Sequence, residues 1–319
     1  MKFRTYRISA LCLAVAIIAA SSFTTARDAM AQTGPKPLRP INIVTEPGAT
    51  VWIDGVKYGT TDEKGRLVVT SVLPGVRSLR LRAKGFAQVT RPIPATARGD
   101  VVVKMVKTTD AAELAFQSAE EQTTIDREKA IAEYRRAIKL RPNYPDAYLG
   151  LARAFSERGD IEGAHQAIQN AKRLRSVNAE VSAVEARVLK DSGEEEKAIA
   201  TFKRAIVQGK GFQPEAYTGL GLLYKDRAEN AGGSGDFSAE ATNYDEAIKN
   251  LAIAVEQLGS APDGMIVQQL LGLIYERQKR YKEAIALYED FLRLFPDSPE
   301  AAAVASFIVQ IKKQMNAPK

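Results

Sequence analysis

The chain has 319 residues, 45 lysines and arginines against 38 aspartates and glutamates, and a formal charge of +7. That length leaves room for two or three domains, and the apolar and charged shares are those of globular protein, which excludes a disordered or fibrous chain. One cysteine, Cys12, and one histidine, His165, exclude a disulfide framework, a cysteine or histidine zinc site and the usual Ser/His or Cys/His nucleophile systems.

Residues 1–31 read as an export signal. Lys2, Arg4 and Arg7 precede an apolar run from Ile8 to Ala20, and Ala29-Met30-Ala31 closes the stretch as a small-residue cleavage site. The run is short for a membrane span, so cleavage after Ala31 is expected, with an uncleaved membrane tether as the alternative. Removal of the segment would take Cys12 with it. Residues 32–40 hold Gly34, Pro35, Pro37 and Pro40 and read as an extended leader with little to bury.

From Ile41 the pattern changes to short Val-, Ile- and Thr-rich runs separated by turn dipeptides. Residues 41–45, 50–53, 56–58, 67–70, 77–83, 86–92 and 101–106 are predicted strands. Asp54-Gly55 predicts a tight hairpin, because both residues tolerate positive φ. Alternation places Ala49, Val51 and Ile53 on one face and Trp52 on the other. Trp52 then reads either as an exposed ligand or sugar platform beside Tyr58, or as a packing residue against Tyr58 or the first helical repeat. Arg80 and Arg82 alternate with Leu79 and Leu81, a basic stripe expected to be a solvated strand face.

Thr45-Glu46-Pro47-Gly48-Ala49, Val51-Trp52-Ile53-Asp54-Gly55, Gly59-Thr60-Thr61, Leu73-Pro74-Gly75 and Lys84-Gly85-Phe86 occur in an order that resembles a PEGA domain across residues 41–107. The resemblance implies a small β-sandwich of the kind carried by exported bacterial and archaeal envelope proteins, with no catalytic residues to transfer.

Beyond a four-residue linker, the remainder is helical in pattern. Ala130, Ala164 and Ala198 recur every 34 residues, each followed by a bulky residue four on and an alanine seven on: Tyr134 and Ala137, Ile168 and Ala171, Phe202 and Ala205. Those spacings share one helix face. Ala247, Leu251 and Ala254, then Ala284, Tyr288 and Phe291, repeat the register. Preceding helices carry Leu151, Ala152 and Phe155, Leu220, Gly221 and Tyr224, and Leu271, Gly272 and Tyr275. This resembles the tetratricopeptide repeat family. It implies an all-α solenoid of five units, 111–144, 145–178, 179–213, 214–264 and 265–298, followed by a capping helix and tail over 299–319. Gly232-Gly233-Ser234-Gly235 in the fourth unit reads as a glycine-rich loop at the inner turn, either a mobile binding loop or, the preferred reading, a tolerated insertion.

No P-loop or dinucleotide fingerprint occurs, and no cofactor or metal is expected. The solenoid is net acidic and its aromatics fall at packing positions, which argues against nucleic acid. The repeat resemblance implies a groove facing a ligand peptide, carried onto Arg153, Glu157, Arg187, Lys190, Asp191, Lys225, Asp226 and Arg277. Among these, Arg153, Arg187, Lys190 and Lys225 would bond to an acidic segment. A carboxylate clamp is unmatched, since Leu149, Ala183 and Thr218 stand where its lysine would be. The sequence therefore predicts an exported, non-enzymatic scaffold in the periplasm or cell envelope. It would bind a protein partner through the groove while the PEGA-like module docks to the cell envelope, a glycan or anionic surface there, or to a partner, with Trp52, Tyr58, Arg80 and Arg82 as the β-module surface. Glycan binding through that surface, or service as an accessory subunit of an envelope or secretion complex, are the alternatives.

Overall fold

The computed structural model describes residues 38–316; the predicted export signal and most of the leader lie outside the described residues. Seven strands come first: β1 Ile41–Val44, β2 Thr50–Ile53, β3 Val56–Thr60, β4 Arg66–Val69, β5 Arg77–Arg82, β6 Val89–Ile93 and β7 Gly99–Val102. They form a three-stranded sheet in the order β4-β1-β7 and an antiparallel four-stranded sheet in the order β3-β2-β5-β6. β1 runs antiparallel to β4 and parallel to β7. Period-two alternation buries Ile41 and Ile43 from one sheet and Val51, Ile53, Leu79, Leu81 and Ile93 from the other, giving a sandwich core. Asp54 and Gly55 both take positive φ at the β2–β3 turn, as the hairpin reading requires.

The leader is not wholly idle. Arg39 is 5% exposed, and its guanidinium donates to the carbonyls of Leu73 and Gly75 at 2.9 Å each and to those of Pro94 and Ala97. Carbonyls at the loop ends are otherwise costly to bury, so a planar five-donor fork collects several at once.

Eleven helices follow. The first helices of successive hairpins are α1 Ala111–Gln122, α3 Pro145–Arg158, α5 Ala179–Asp191, α7 Pro214–Gly233 and α9 Pro262–Arg277. Their partners are α2 Arg127–Leu140, α4 Ile161–Leu174, α6 Glu195–Gln208, α8 Phe237–Leu258 and α10 Tyr281–Leu294, with α11 Ala301–Asn316 at the end. All three residues of every registered stripe are buried, from Ala130, Tyr134 and Ala137 through Ala284, Tyr288 and Phe291. Glycine admits the bulky member: a Cβ at Gly150 would meet the Tyr134 ring at 2.5 Å, and one at Gly219 the Phe202 ring at 2.2 Å. Asp110, Asp126, Asp160, Asn178 and Asp236 each accept a backbone N–H of the first helical turn. α11 covers the last hairpin with Val304, Ile308 and Ile311.

The glycine-rich excursion in the fourth hairpin is helical rather than a loop. Gly232 and Gly233 close α7, only Ser234, Gly235 and Asp236 make the turn, and α8 starts at Phe237. The extra residues lengthen both helices, to 20 and 22 residues against 12 to 16 in the others. Arg227 ties the extended hairpin to Glu195 and Glu196, and Arg277 to Glu240 at 3.5 Å.

The two regions share one core at the far end of the chain. Buried residues of the sandwich, Val56 and Tyr58 among them, form a single apolar cluster with those of α8 to α11, whereas the first hairpins pack in a separate cluster. Tyr58 donates to the Leu258 carbonyl at 3.5 Å, and Ser71 exchanges two hydrogen bonds with Ser260. Near the linker the contact is polar instead. The Gly85 amide donates to Gln117 Oε1 at 2.9 Å, Gln117 Nε2 donates to the Phe86 carbonyl at 2.8 Å, and Lys84 pairs with Glu121. The β region thus touches the solenoid at both ends.

Candidate functional site

Between those two contacts lies a cleft of about 1120 Å³. One wall is the outward face of β2 and β5, with Trp52, Arg80 and Arg82. The other is built by first helices of the repeats, with Glu120 on α1, Asp146 and Arg153 on α3, Glu180, Arg187 and Lys190 on α5, and Glu215, Thr218 and Leu222 on α7. Tyr134 and Phe202 close its floor where Gly150 and Gly219 leave room. Two sets of residues that the sequence places on separate surfaces therefore meet. Trp52, Arg80 and Arg82 from the strands, and Arg153, Glu157, Arg187 and Lys190 from the helices, line one cavity. Asp191, Lys225, Asp226, Arg277 and Tyr58 are not among its lining residues.

The predicted Trp52–Tyr58 platform does not form. β2 and β3 pair with Trp52 opposite Lys57, so Tyr58 points with Val56 to the buried side, where it reaches α8. Trp52 instead lies beneath two guanidiniums, with Arg80 at 4.8 Å and Arg82 at 5.4 Å from its ring centre.

The basic stripe is not a solvated face either. Arg82 is 5% exposed. It donates to Gln88 at 2.7 Å, Glu120 at 2.7 Å and Asp146 at 3.4 Å, and stacks 4.4 Å over Phe116. Strand alternation fixed which side Arg82 faces, and the solenoid occupies that side.

The helical wall carries a ladder of charges. An acidic residue recurs at the second position of α3, α5, α7 and α9, as Asp146, Glu180, Glu215 and Asp263, where the helix N-terminus favours negative charge. Arg153 reaches two of them, Glu180 at 3.1 Å and Glu215 at 3.0 Å, and Arg187 lies 3.7 Å from Glu215. Burial works against the charge on Arg153, but Glu215 and Glu180 outweigh it and raise its affinity for the proton. Burial likewise opposes ionisation of Glu180, and Arg153 with Arg80 more than offsets it, holding that carboxyl below its usual range. At Glu120 burial prevails over Arg82 and Arg80, and the carboxyl is pushed up. Sequence reasoning missed these carboxylates, although the Pro-Asp and Pro-Glu pairs at 145–146 and 214–215 and the 34-residue step from Asp146 to Glu180 mark the position.

The other predicted groove charges are engaged locally. Lys190 pairs with Asp191 at 3.0 Å, and Ser156 donates to Asp191 at 3.1 Å. Lys225 pairs with Glu229 at 2.8 Å and lies 3.6 Å from Asp226, and Arg127 holds Glu157 at 3.7 Å. Arg153, Lys190 and Lys225 are therefore already neutralised within the chain. Among the described residues no group of histidine, cysteine or carboxylate side chains is arranged to hold a metal ion, and no helix is long and apolar enough to cross a membrane.

Comparison with known proteins agrees with the helical part of this architecture. A sequence model of the TPR repeat matches residues 126–159, and a second, of the tetratricopeptide repeat, matches residues 239–299. The helical region is a TPR-like solenoid. No curated protein sequence matches the chain. Among solved structures, yeast Tom70 is similar at 18% identity and a TM-score of 0.50, over 65% of this chain and 41% of its own length. A thermophilic TPR protein of Thermus thermophilus is similar at 17% identity and a TM-score of 0.46, over 63% of this chain and 99% of its own. The chain spans about two fifths of the length of the yeast protein it matches.

Proposed function

We infer that this protein is an exported, non-enzymatic scaffold that holds a segment of a protein partner in the cleft between its β region and its TPR-like solenoid. The observation that carries this reading is the convergence of Trp52, Arg80 and Arg82 with Arg153 and Arg187 on one cavity of about 1120 Å³. A cavity of that size accommodates several side chains of an extended segment, and its mixed aromatic and charged lining suits a peptide. The TPR-like fold supports binding of protein or peptide partners. Residues 41–107 are read as a PEGA-like module whose basic face is turned to its own solenoid, so any docking to the envelope uses the opposite, three-stranded sheet. Glycan binding through Trp52 is the weaker reading, because the indole is covered by Arg80 and Arg82 instead of lying open as a stacking platform.

The test places a photo-crosslinking residue at Thr218, inside the cleft, and at Lys203, on the outer surface, in the native host. A defined protein captured from Thr218 and not from Lys203 supports the reading; identical capture from both positions removes it. Fractionation with N-terminal sequencing of the purified protein tests export. A mature N-terminus at Gln32 in the envelope fraction is the expected result.

A further inference from the structure

The cleft is lined by acidic and basic side chains in nearly equal number, but they are not all paired. Arg82 is neutralised by Glu120 and Asp146, Arg153 by Glu180 and Glu215, Lys84 by Glu121 and Lys190 by Asp191. Arg80 makes no ion pair among the described residues. It is half-buried, and its Nε is sealed from solvent without a hydrogen-bond partner. Arg187 has only the 3.7 Å approach to Glu215 Oε1, Arg153 holding the other carboxylate oxygen, and both Arg187 Nη2 and Glu215 Oε1 are sealed without a hydrogen-bond partner. Lys57, at the rim, is likewise unpaired among the described residues. The one lining carboxylate without an ion pair among them is Asp263, which is exposed at the start of α9.

A guanidinium taken partly out of water without a counter-ion is unfavourable, and two on facing walls make a site for which a negative group is the natural complement. The orientation of Arg80 supports this. Lying 4.8 Å over Trp52, it rests on the ring face and forms no ion pair among the described residues, so its outer nitrogens are not taken up by a carboxylate. Burial and the neighbouring Arg82 lower the proton affinity of Arg80 by more than the more distant Glu180, Asp146 and Glu120 raise it.

We propose that the cleft takes an acidic peptide segment, whose side-chain carboxylates are held by Arg80 of β5 from one wall and Arg187 of α5 from the other. This rests on the peptide-cleft reading above and moves the recognition from the helical groove alone to a pair of residues contributed by both regions. Neither residue suffices alone: Arg187 faces Glu215, and Arg80 on the strand wall feels Glu180, Asp146 and Glu120 only from beyond ion-pair distance. The β region then acts as half of the binding site.

Trp52 is the protein's only tryptophan, so its emission reports on the cleft directly. The experiment titrates the purified protein with four short peptides. One, with blocked ends, alternates glutamate and serine. Its counterparts replace glutamate by glutamine or by lysine, and the fourth carries serines with a free C-terminal carboxylate. The expected result is a saturable change in Trp52 emission with the glutamate peptide only, weakened as salt is raised, with Arg80→Gln and Arg187→Gln each weakening it roughly tenfold and Lys203→Gln leaving it unchanged. Thermal unfolding confirms that each variant is folded; should Arg80→Gln disturb the contact with the solenoid, Arg187→Gln, whose ion-pair approach is to Glu215 within the solenoid, carries the test alone. Equal binding of the glutamate and glutamine peptides, or undiminished binding by a folded Arg187→Gln protein, overturns the acidic-segment proposal while leaving the peptide cleft standing. Binding of the free-carboxylate peptide alone also overturns it, in favour of terminus capture. If no peptide binds, the peptide-cleft reading falls and this proposal with it.

Discussion

The backbone N–H of Ser71 donates to Ser260 Oγ at 3.0 Å, and that hydroxyl donates back to the Ser71 carbonyl at 2.9 Å, joining the β region to the α8–α9 turn across 189 residues. With Tyr58 on the Leu258 carbonyl, this contact turns a strand module tethered at α1 into a bridge anchored at both ends of the solenoid. Ser260→Ala removes a donor and an acceptor together and leaves the Ser71 N–H unpaired. It is expected to destabilise the bridge by about 1–2 kcal/mol. Native-state hydrogen exchange checks this, as faster exchange at residues 56–72 with the α2–α4 amides unaffected; uniform acceleration everywhere would mean that the contact is not local.

At the other anchor, Arg82 bonds Glu120 and Asp146 while only 5% exposed. Arg82→Met strands Glu120 without that partner, though Asp146 retains Arg175 at 2.8 Å. The expected loss in denaturant unfolding is about 3 kcal/mol, the lower end for breaking a buried pair. The double variant Arg82→Met with Glu120→Met should recover most of it, because no charge is then left without a partner. A double variant no better than the single one would place the energy in the Phe116 and Trp52 stacking instead.

Much of this architecture is legible in the sequence, and what is not has a common cause. The strands and the repeat stripes follow from local periodicity: Val51 and Ile53 alternate into the sandwich, and Ala130, Tyr134 and Ala137 share a helix face. Periodicity also says that Arg80 and Arg82 leave the sandwich on the side of Trp52. It cannot say what waits there, because their counterparts Glu120, Asp146 and Glu180 stand between 38 and 100 residues further on and meet them only after the solenoid curves back. Gly232-Gly233 misleads for the opposite reason. Local propensity favours a loop there, but the facing α8 stabilises the extra turns, with Arg227 and Arg277 fastening them.

Acid should loosen the ladder before it unfolds the sandwich. The carboxyl of Glu180 sits below its ordinary value of 4.5 in the folded state, so the folded protein binds fewer protons there than the unfolded chain. Its stabilisation is present above that value and is lost as pH falls through the lower, folded one. Glu120 runs the other way: its raised carboxyl makes stability fall as pH rises through the folded value. Thermal midpoints measured from neutral to acid pH should therefore show a shallower acid loss in Glu180→Gln and a steeper one in Glu120→Gln. The same slope in both would show that neither carboxyl is perturbed as its surroundings require.

Two glycines in α7 should respond to the same substitution with opposite signs. At Gly219 a methyl would sit 2.2 Å from the Phe202 ring tip, which is itself 1% exposed and held between neighbouring helices. The ring has nowhere to retreat, so Gly219→Ala forces the α6–α7 contact apart at a cost of about 1–3 kcal/mol, more than the helix propensity it gains. At Gly233, the last residue of the same helix, nothing lies within 4 Å of the added methyl. There Gly233→Ala only restricts the unfolded chain, and is expected to stabilise by a few tenths to about 1 kcal/mol. Chemical denaturation of both variants reads the two signs. Stabilisation at Gly219 would mean that the helices of the third and fourth hairpins stand further apart than the Phe202 contact requires, and a loss at Gly233 would mean that the chain leaves the helix before that residue.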